Sequence, residues 1–282
     1  MECPSVCSLL DKRSNKKILE NLLRIRIGGR NVCRQLTDTL IDFGVIPEDG
    51  RNTQFINSLI GKGEYGVVLG MCNKSGEHLA IKIVNSNDNV QSEVEMQIKY
   101  NSIGLAPKVH QVRVHDGKSY ILMDRIGMTL EDYIKTDPHA GEYLPDIFND
   151  IDASIVLQYM SRISHGDMHA GNIAIELKED GSYDRIILID FGFAKKRTED
   201  DDTLITIQLQ KFREYLQLLR SIENGPHEHQ LMQLVMSRIN SSELEEVKNI
   251  FTTGDDLDNN METQDETFRL VSEFFVEDGI LE

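Results

Sequence analysis

A chain of 282 residues, 40% of them hydrophobic, is long enough for one domain with a sizeable core and an extension, and no stretch approaches the roughly 18 consecutive apolar residues of a membrane span. Lys and Arg number 30 against 47 Asp and Glu, so the formal net charge is −17 and general affinity for nucleic acid is not expected. Met1 to Leu10 lacks a basic start leading into a long apolar run, and the cysteines (Cys3, Cys7, Cys33 and Cys72) crowd the N-terminal quarter. Cys3 and Cys7 either pair, begin a metal site or stay reduced; no second close pair answers them, so reduced thiols in a cytoplasmic chain without a signal peptide are the expectation.

The first segment, residues 1–54, is basic where the whole chain is acidic. Lys12, Arg13, Lys16, Lys17, Arg24, Arg26, Arg30 and Arg34 interleave with Ile18, Leu19, Leu22 and Leu23 at helical spacing. Such a helix either lies on a membrane or a partner, or packs its apolar stripe on its own domain and leaves the cations in water, and the second is the ordinary outcome. In that case the segment caps the next part of the chain and stands where it can control the helix that follows.

Between the apolar runs Phe55 to Ile60 and Val67 to Met71 stands Gly61-Lys62-Gly63-Glu64-Tyr65-Gly66-Val67-Val68. The context reads as a strand-turn-strand hairpin, which argues against a dinucleotide-binding turn, where a helix opens at the third glycine. Residues without Cβ let backbone N–H groups approach phosphate oxygens. Leu79 to Val84 is an apolar strand broken by one cation, Lys82. It is either a lysine on the wet face of an edge strand or, so soon after a glycine hairpin, a lysine that reaches phosphates. The segment Ser92 to Tyr100 reads as a helix with Val94, Ile98 and Met96 turned inward; Glu93 is the first choice for an ion-pair partner of Lys82 and Glu95 the second, unless both are solvated carboxylates.

Tyr120 to Gly127 follows as another apolar strand, and Tyr143 to Ile163 carries Leu144, Ile147, Ile151, Ile155, Val156, Tyr159 and Met160 at helical intervals. Next comes His165-Gly166-Asp167-Met168-His169-Ala170-Gly171-Asn172, then a turn at Gly181, Tyr183 and Asp184 between two short strands. The apolar strand Ile186 to Ile189 delivers Asp190-Phe191-Gly192. One Asp placed to orient a hydroxyl, with Asn172 and Asp190 as hard oxygen ligands for magnesium, reads as an ATP phosphotransfer site. His165 reads as a structural histidine bonded near Asp190. Lys195, Lys196 and Arg197 read as a solvated loop, with contact to an acidic substrate segment the lesser reading. A helix is expected over Ile207 to Leu219. The acidic stretch Ser241 to Glu282, with Asp255, Asp256, Asp258, Glu262, Asp265 and Glu266, reads as a solvated tail anchored by Phe268, Leu270, Val271, Phe274 and Phe275 in one last helix; recognition of a basic partner is the weaker reading.

Taken in order, Gly61, Gly63, Gly66 and Val68, Lys82 in Ala-Ile-Lys, Glu93, Asp167 with Asn172, and Asp190-Phe191-Gly192 resemble the protein-kinase-like superfamily. The resemblance implies an α+β bilobal fold with a β-rich N-lobe and hinge over residues 55–126, an α-helical C-lobe over 127–282, and ATP with Mg2+ in the cleft. It implies that Met123 backs the adenine pocket and that backbone groups from Asp124 to Ile126 bond the adenine edge. Lys82 and Glu93, with Asp167 and Asn172, become the catalytic set.

Three departures stand beside the matches. Gly166 replaces the family's usual Arg before the catalytic Asp, which puts control by activation-loop phosphorylation in doubt. His169 replaces the usual Lys, and no Ala-Pro-Glu follows Gly192. His-Gly-Asp-x-His-x-Gly-Asn is instead similar to loops of the atypical branch, including RIO-like, lipopolysaccharide-kinase-like and aminoglycoside-phosphotransferase-like enzymes. The first reading is therefore a Ser/Thr protein kinase. The alternative is a phosphotransferase acting on a sugar, choline-like or antibiotic hydroxyl, and the third is a pseudokinase that serves as a binding module.

Overall fold

The computed structural model describes residues 32–44, 56–62, 66–72, 77–86, 88–197, 215, 218 and 227–238. The basic stripe before residue 32, Gly63 to Tyr65, most of the helix expected at 207–219 and the acidic stretch after 240 lie outside the described residues.

The N-terminal part is built on five antiparallel strands: β1 (Ile56–Lys62), β2 (Gly66–Cys72), β3 (His78–Asn85), β4 (Val109–His115) and β5 (Lys118–Asp124), in the order β1-β2-β3-β5-β4. Two helices flank it, α1 (Val32–Asp42) and α2 (Asp88–Ser102). Alternation along each strand sorts the side chains onto two faces. Val67, Leu69 and Met71, Leu79, Ile81 and Ile83, and Tyr120 and Leu122 turn one way and bury Leu36 and Leu40 of α1. Ala80, Val84, Ile121 and Met123 turn the other way and pack on Val90 and Val94 of α2. Helix α1 is also pinned at its end, where Arg113 pairs with Asp42 and Gln111 Nε2 donates to the Phe43 carbonyl at 3.4 Å. The described part of the first segment thus caps the sheet on the face away from α2. Any influence of α1 on the helix bearing Glu93 must pass through the sheet.

The C-terminal part begins at β6 (Met128–Thr129) and α3 (Leu130–Thr136), whose N-cap Thr129 accepts the Asp132 N–H through its hydroxyl at 3.1 Å. Then follow α4 (Ala140–Met160), β7 (Ile163–Ser164), a 3-10 turn over Ala170–Asn172, β8 (Ile173–Leu177), β9 (Tyr183–Leu188), β10 (Lys195–Lys196) and α5 (Glu228–Met236). Leu144, Ile147, Phe148, Ile151 and Ile155 of α4 fill the core together with Leu130, Tyr133, Tyr215, Leu218, Leu231 and Val235. The result is a sheet-rich part and a helix-rich part, the α+β bilobal arrangement. Among the described residues no helix is long and apolar enough to cross a membrane.

Several local expectations shift. Helix α4 ends at Met160, and Ile163 lies in β7; Val156 and Met160 face outward. Ile98 is 52% exposed, while Met96 and Val94 are buried. Tyr183 and Asp184 open β9, and the turn lies before them, where Lys178 N donates to the Ser182 carbonyl and Gly181 takes φ +84°. Lys195 and Lys196 form β10 against β7. Arg197 is not solvated: it is buried with its guanidinium 4.8 Å over the Tyr159 ring, and its N–H donates to the Arg162 carbonyl.

Candidate active site

Strand β3 runs between β2 and β5, so Lys82 is not on an edge strand. Its neighbours Ile81 and Ile83 point to α1, which leaves Lys82 on the face toward α2. There Nζ donates to Glu93 Oε1 at 2.5 Å and to Asp190 Oδ1 at 3.1 Å. Burial lowers the affinity of the Lys82 ammonium for its proton, but the Glu93 and Asp190 carboxylates outweigh it, and the net shift is upward. The side chains of Lys82 and Glu93 are only 15% and 11% exposed, whereas that of Asp190 is 55% exposed, so one carboxylate serves the lysine and the other also looks outward. Glu95 lies on the solvent side of α2, where it accepts from Gln91 Nε2 at 3.0 Å.

The loop between β7 and β8 holds Asp167 and Asn172 together. Asn172 Nδ2 donates to both the Asp167 carbonyl and Oδ2 at 3.0 Å, which leaves its Oδ1 for another partner. Because β8 and β9 pair with Ile173 opposite Leu188, the residues just beyond that pair meet at one end of the hairpin, and Ile189 N donates to the Asn172 carbonyl at 2.9 Å. Asp190 follows immediately, with φ +64°. A left-handed Asp is tolerated better than most residues, and such conformations gather at functional sites. Phe191 is buried with its ring 4.8 Å from Tyr100 and 5.1 Å from His165.

The histidines of the loop play different parts. His165 is fully buried and its Nε2–H donates to the Ile189 carbonyl at 3.0 Å; burial pushes its imidazole down to about 4. His169 Nδ1 accepts the Gly171 N–H at 3.1 Å, so a neutral ring carries its proton on Nε2, which stands 3.7 Å from Asp167 Oδ2. A Cβ on Gly171 would come within 2.9 Å of the His169 ring, and one on Gly166, at φ +81°, within 2.7 Å of the Phe193 carbonyl. The segment after Asp190 therefore rests directly on Gly166, where the family's Arg would stand.

Two of the loop glycines are described and they differ. A Cβ on Gly66 would lie 2.2 Å from the Ile83 carbonyl, so the approach of β2 to β3 alone requires glycine there. A Cβ on Gly61 would meet only Val68 among the described residues, at 3.7 Å, an ordinary contact, so no described neighbour demands glycine there. Gly63 lies outside the described residues. Met123 is buried opposite Ala80, in the cluster that Val68 borders. Asp124 is held by the chain itself: its N–H donates to the Lys108 carbonyl, and its carboxylate accepts from His110 Nε2 at 2.6 Å and Lys108 N at 3.3 Å. Arg125 N donates to the His78 carbonyl, while the Ile126 N–H has no partner among the described residues.

The oxygen donors suit magnesium. Among the described residues no three His, Cys, Asp or Glu side chains form a metal cage, and magnesium is commonly held by one or two side-chain oxygens plus phosphates and waters rather than by a full protein cage. What the motif reading of the chain missed is polar and buried. Gln158 stands on the inward stripe of α4 after Ile151 and Ile155, with no exposed surface, and Tyr100 on α2 is equally buried. A lone amide in an apolar helical stripe was the available signal.

The family model for the protein kinase domain matches residues 55–216. Serine/threonine-protein kinase GG21441 of Drosophila erecta, GE16371 of Drosophila yakuba and CG17528 of Drosophila melanogaster are each 25% identical to the chain over 167 residues, 56% of this chain and 22% of theirs. The match thus spans about a fifth of the length of these curated relatives. The matched stretch is more than half of the present chain and runs from the glycine hairpin through Lys82, the Asp167 loop and Asp190. On that ground the chain belongs to the protein kinase domain family.

Proposed function

We propose that the chain is a serine/threonine protein kinase that moves the γ-phosphoryl group of ATP to a protein hydroxyl. The observation that carries this reading is Lys82 standing between Glu93 and Asp190, so that strand β3, helix α2 and the segment after β9 converge on one cation. Lys82 is assigned to the α- and β-phosphates and Glu93 to holding it. Asp167 orients the acceptor hydroxyl and takes its proton, a step whose usual contribution is on the order of 10²–10⁴-fold. Asn172 Oδ1 and the Asp190 carboxylate would hold magnesium, which would neutralise charge on the triphosphate. Gly61, Gly63, Gly66 and Val68 belong to the loop that covers the phosphates, Met123 backs the adenine pocket, and backbone groups of Asp124 to Ile126 meet the adenine edge.

A second reading, transfer to a small-molecule hydroxyl, draws on one feature. His169 occupies the place of the family's Lys, and its Nδ1 is committed to the Gly171 N–H, so the loop presents a short imidazole where a protein kinase of the usual kind presents a long ammonium side chain. That loop resembles those of RIO-like and aminoglycoside-phosphotransferase-like enzymes. The test is γ-labelled ATP with magnesium and generic basic and acidic proteins, run beside Asp167→Ala and Asp190→Asn. Label on Ser or Thr that both variants lose supports the protein kinase; no protein labelling despite binding of ATP moves the weight to a small acceptor or to a pseudokinase.

A further inference from the structure

Gln158 joins parts of the molecule that the phosphotransfer roles leave unconnected. Its Oε1 accepts the Tyr100 hydroxyl at 2.8 Å and the backbone N–H of His165 at 3.0 Å, and its Nε2 faces Met168 Sδ at 3.1 Å. Tyr100 belongs to α2, while His165 and Met168 lie on either side of Asp167. One buried amide of α4 therefore ties the helix that carries Glu93 to the loop that carries Asp167. The Tyr100 ring adds to the tie, standing 4.8 Å from Phe191 and 5.9 Å from His165.

Glu93 and Tyr100 are two helical turns apart on α2 and share a face. Fixing Tyr100 therefore fixes the height and rotation at which Glu93 meets Lys82. The same end of α2 is secured further: Gln97 Nε2 donates to the Pro107 carbonyl at 3.1 Å, Asn101 Nδ2 to the Ala106 carbonyl at 2.8 Å, and Leu188 N of β9 to the Leu105 carbonyl at 2.8 Å. An unpaired buried amide is costly, so loss of one partner is felt by the rest of the network.

We infer that Tyr100 and Gln158 are positioning residues that bolt α2 to the catalytic loop and so hold Glu93 against Lys82. The inference rests on the assignment of Lys82 to nucleotide. The segment after Asp190 adds to the packing of that loop, since the Phe193 carbonyl approaches Gly166 closely enough to leave no room for a Cβ.

Hydrogen-deuterium exchange of the full chain after phosphatase treatment tests it without requiring a known substrate. Wild type should keep the amides of α2 protected. Tyr100→Phe, which retains the ring and loses one hydrogen bond, should exchange there about tenfold faster, and Gln158→Leu faster still. Binding of a fluorescent ATP analogue with magnesium should weaken about tenfold in Tyr100→Phe, yet no further when Glu93→Gln is already present, a non-additivity that a merely structural role does not give. The inference is overturned by fast α2 exchange in phosphatase-treated wild type, by Tyr100→Phe behaving as wild type, or by losses that add. A wild type that binds no ATP analogue would count against the kinase assignment instead, while the exchange data still decide whether the bolt exists.

Discussion

Lys82 and Asp167 reach the same site by different means. Lys82 depends on side-chain charge from distant stretches of chain, Glu93 at 2.5 Å and Asp190 at 3.1 Å. Asp167 sits in a loop that largely bonds itself, through Asn172 Nδ2, the Gly171 N–H on His169 and the Ile189 N–H on the Asn172 carbonyl. The first arrangement is sensitive to anything that moves α2; the second keeps its Asp167–Asn172 contact within six residues of chain and depends on other elements only through its flanks. Charge placed across elements is therefore the more easily adjusted of the two.

Reversing Glu93 is the largest break in that comparison. Glu93→Lys puts two cations side by side in a largely buried position, and phosphotransfer should fall by about 100-fold or more. Glu95→Lys, on the exposed side of the same helix, should stay near wild type in the same assay. A loss confined to the Glu95 variant would mean that α2 is rotated from the register described.

A smaller effect belongs to the loop half. His165 is held down to about 4 by burial, below its ordinary 6.5. Between those values the unfolded chain binds a proton that the folded chain refuses, so stability is intact above about 6.5 and declines as pH falls toward 4. The His165 contribution should amount to a loss on the order of 2 kcal/mol between pH 7 and pH 5. Urea unfolding of wild type and His165→Asn at the two pH values isolates it as the difference in slope; equal slopes would show that the imidazole is not held neutral.

The ordered motifs singled out Lys82, Glu93, Asp167, Asn172 and Asp190, because each pairs a rare chemistry with a fixed place among strands and turns, and the structure brings Lys82 to Glu93 and Asp190 and Asn172 to Asp167. The faces of helices were less legible, for a physical reason. The inward arc of α2 is centred on Glu93 and Gln97, since that side looks toward the site and the β4–β5 side of the sheet, so hydrophobicity alone turned Ile98 inward. Gln158 escaped notice in the same way: its partners come from α2 and the loop after β7, and no local pattern in α4 announces them. Gly66 carried two meanings, and only the 2.2 Å approach to Ile83 shows that sheet packing already demands it.

The proposed roles all rest on magnesium-dependent binding of ATP at a site that Asp190 completes. Calorimetric titration of ATP into the full chain, with and without magnesium, for wild type and Asp190→Asn, addresses it directly. Magnesium should tighten ATP binding to wild type by tenfold or more, as expected of a charge-bridging metal, and Asp190→Asn, with unchanged unfolding, should lose that dependence. Binding that ignores magnesium in wild type, or that keeps the full dependence in the variant, would contradict it.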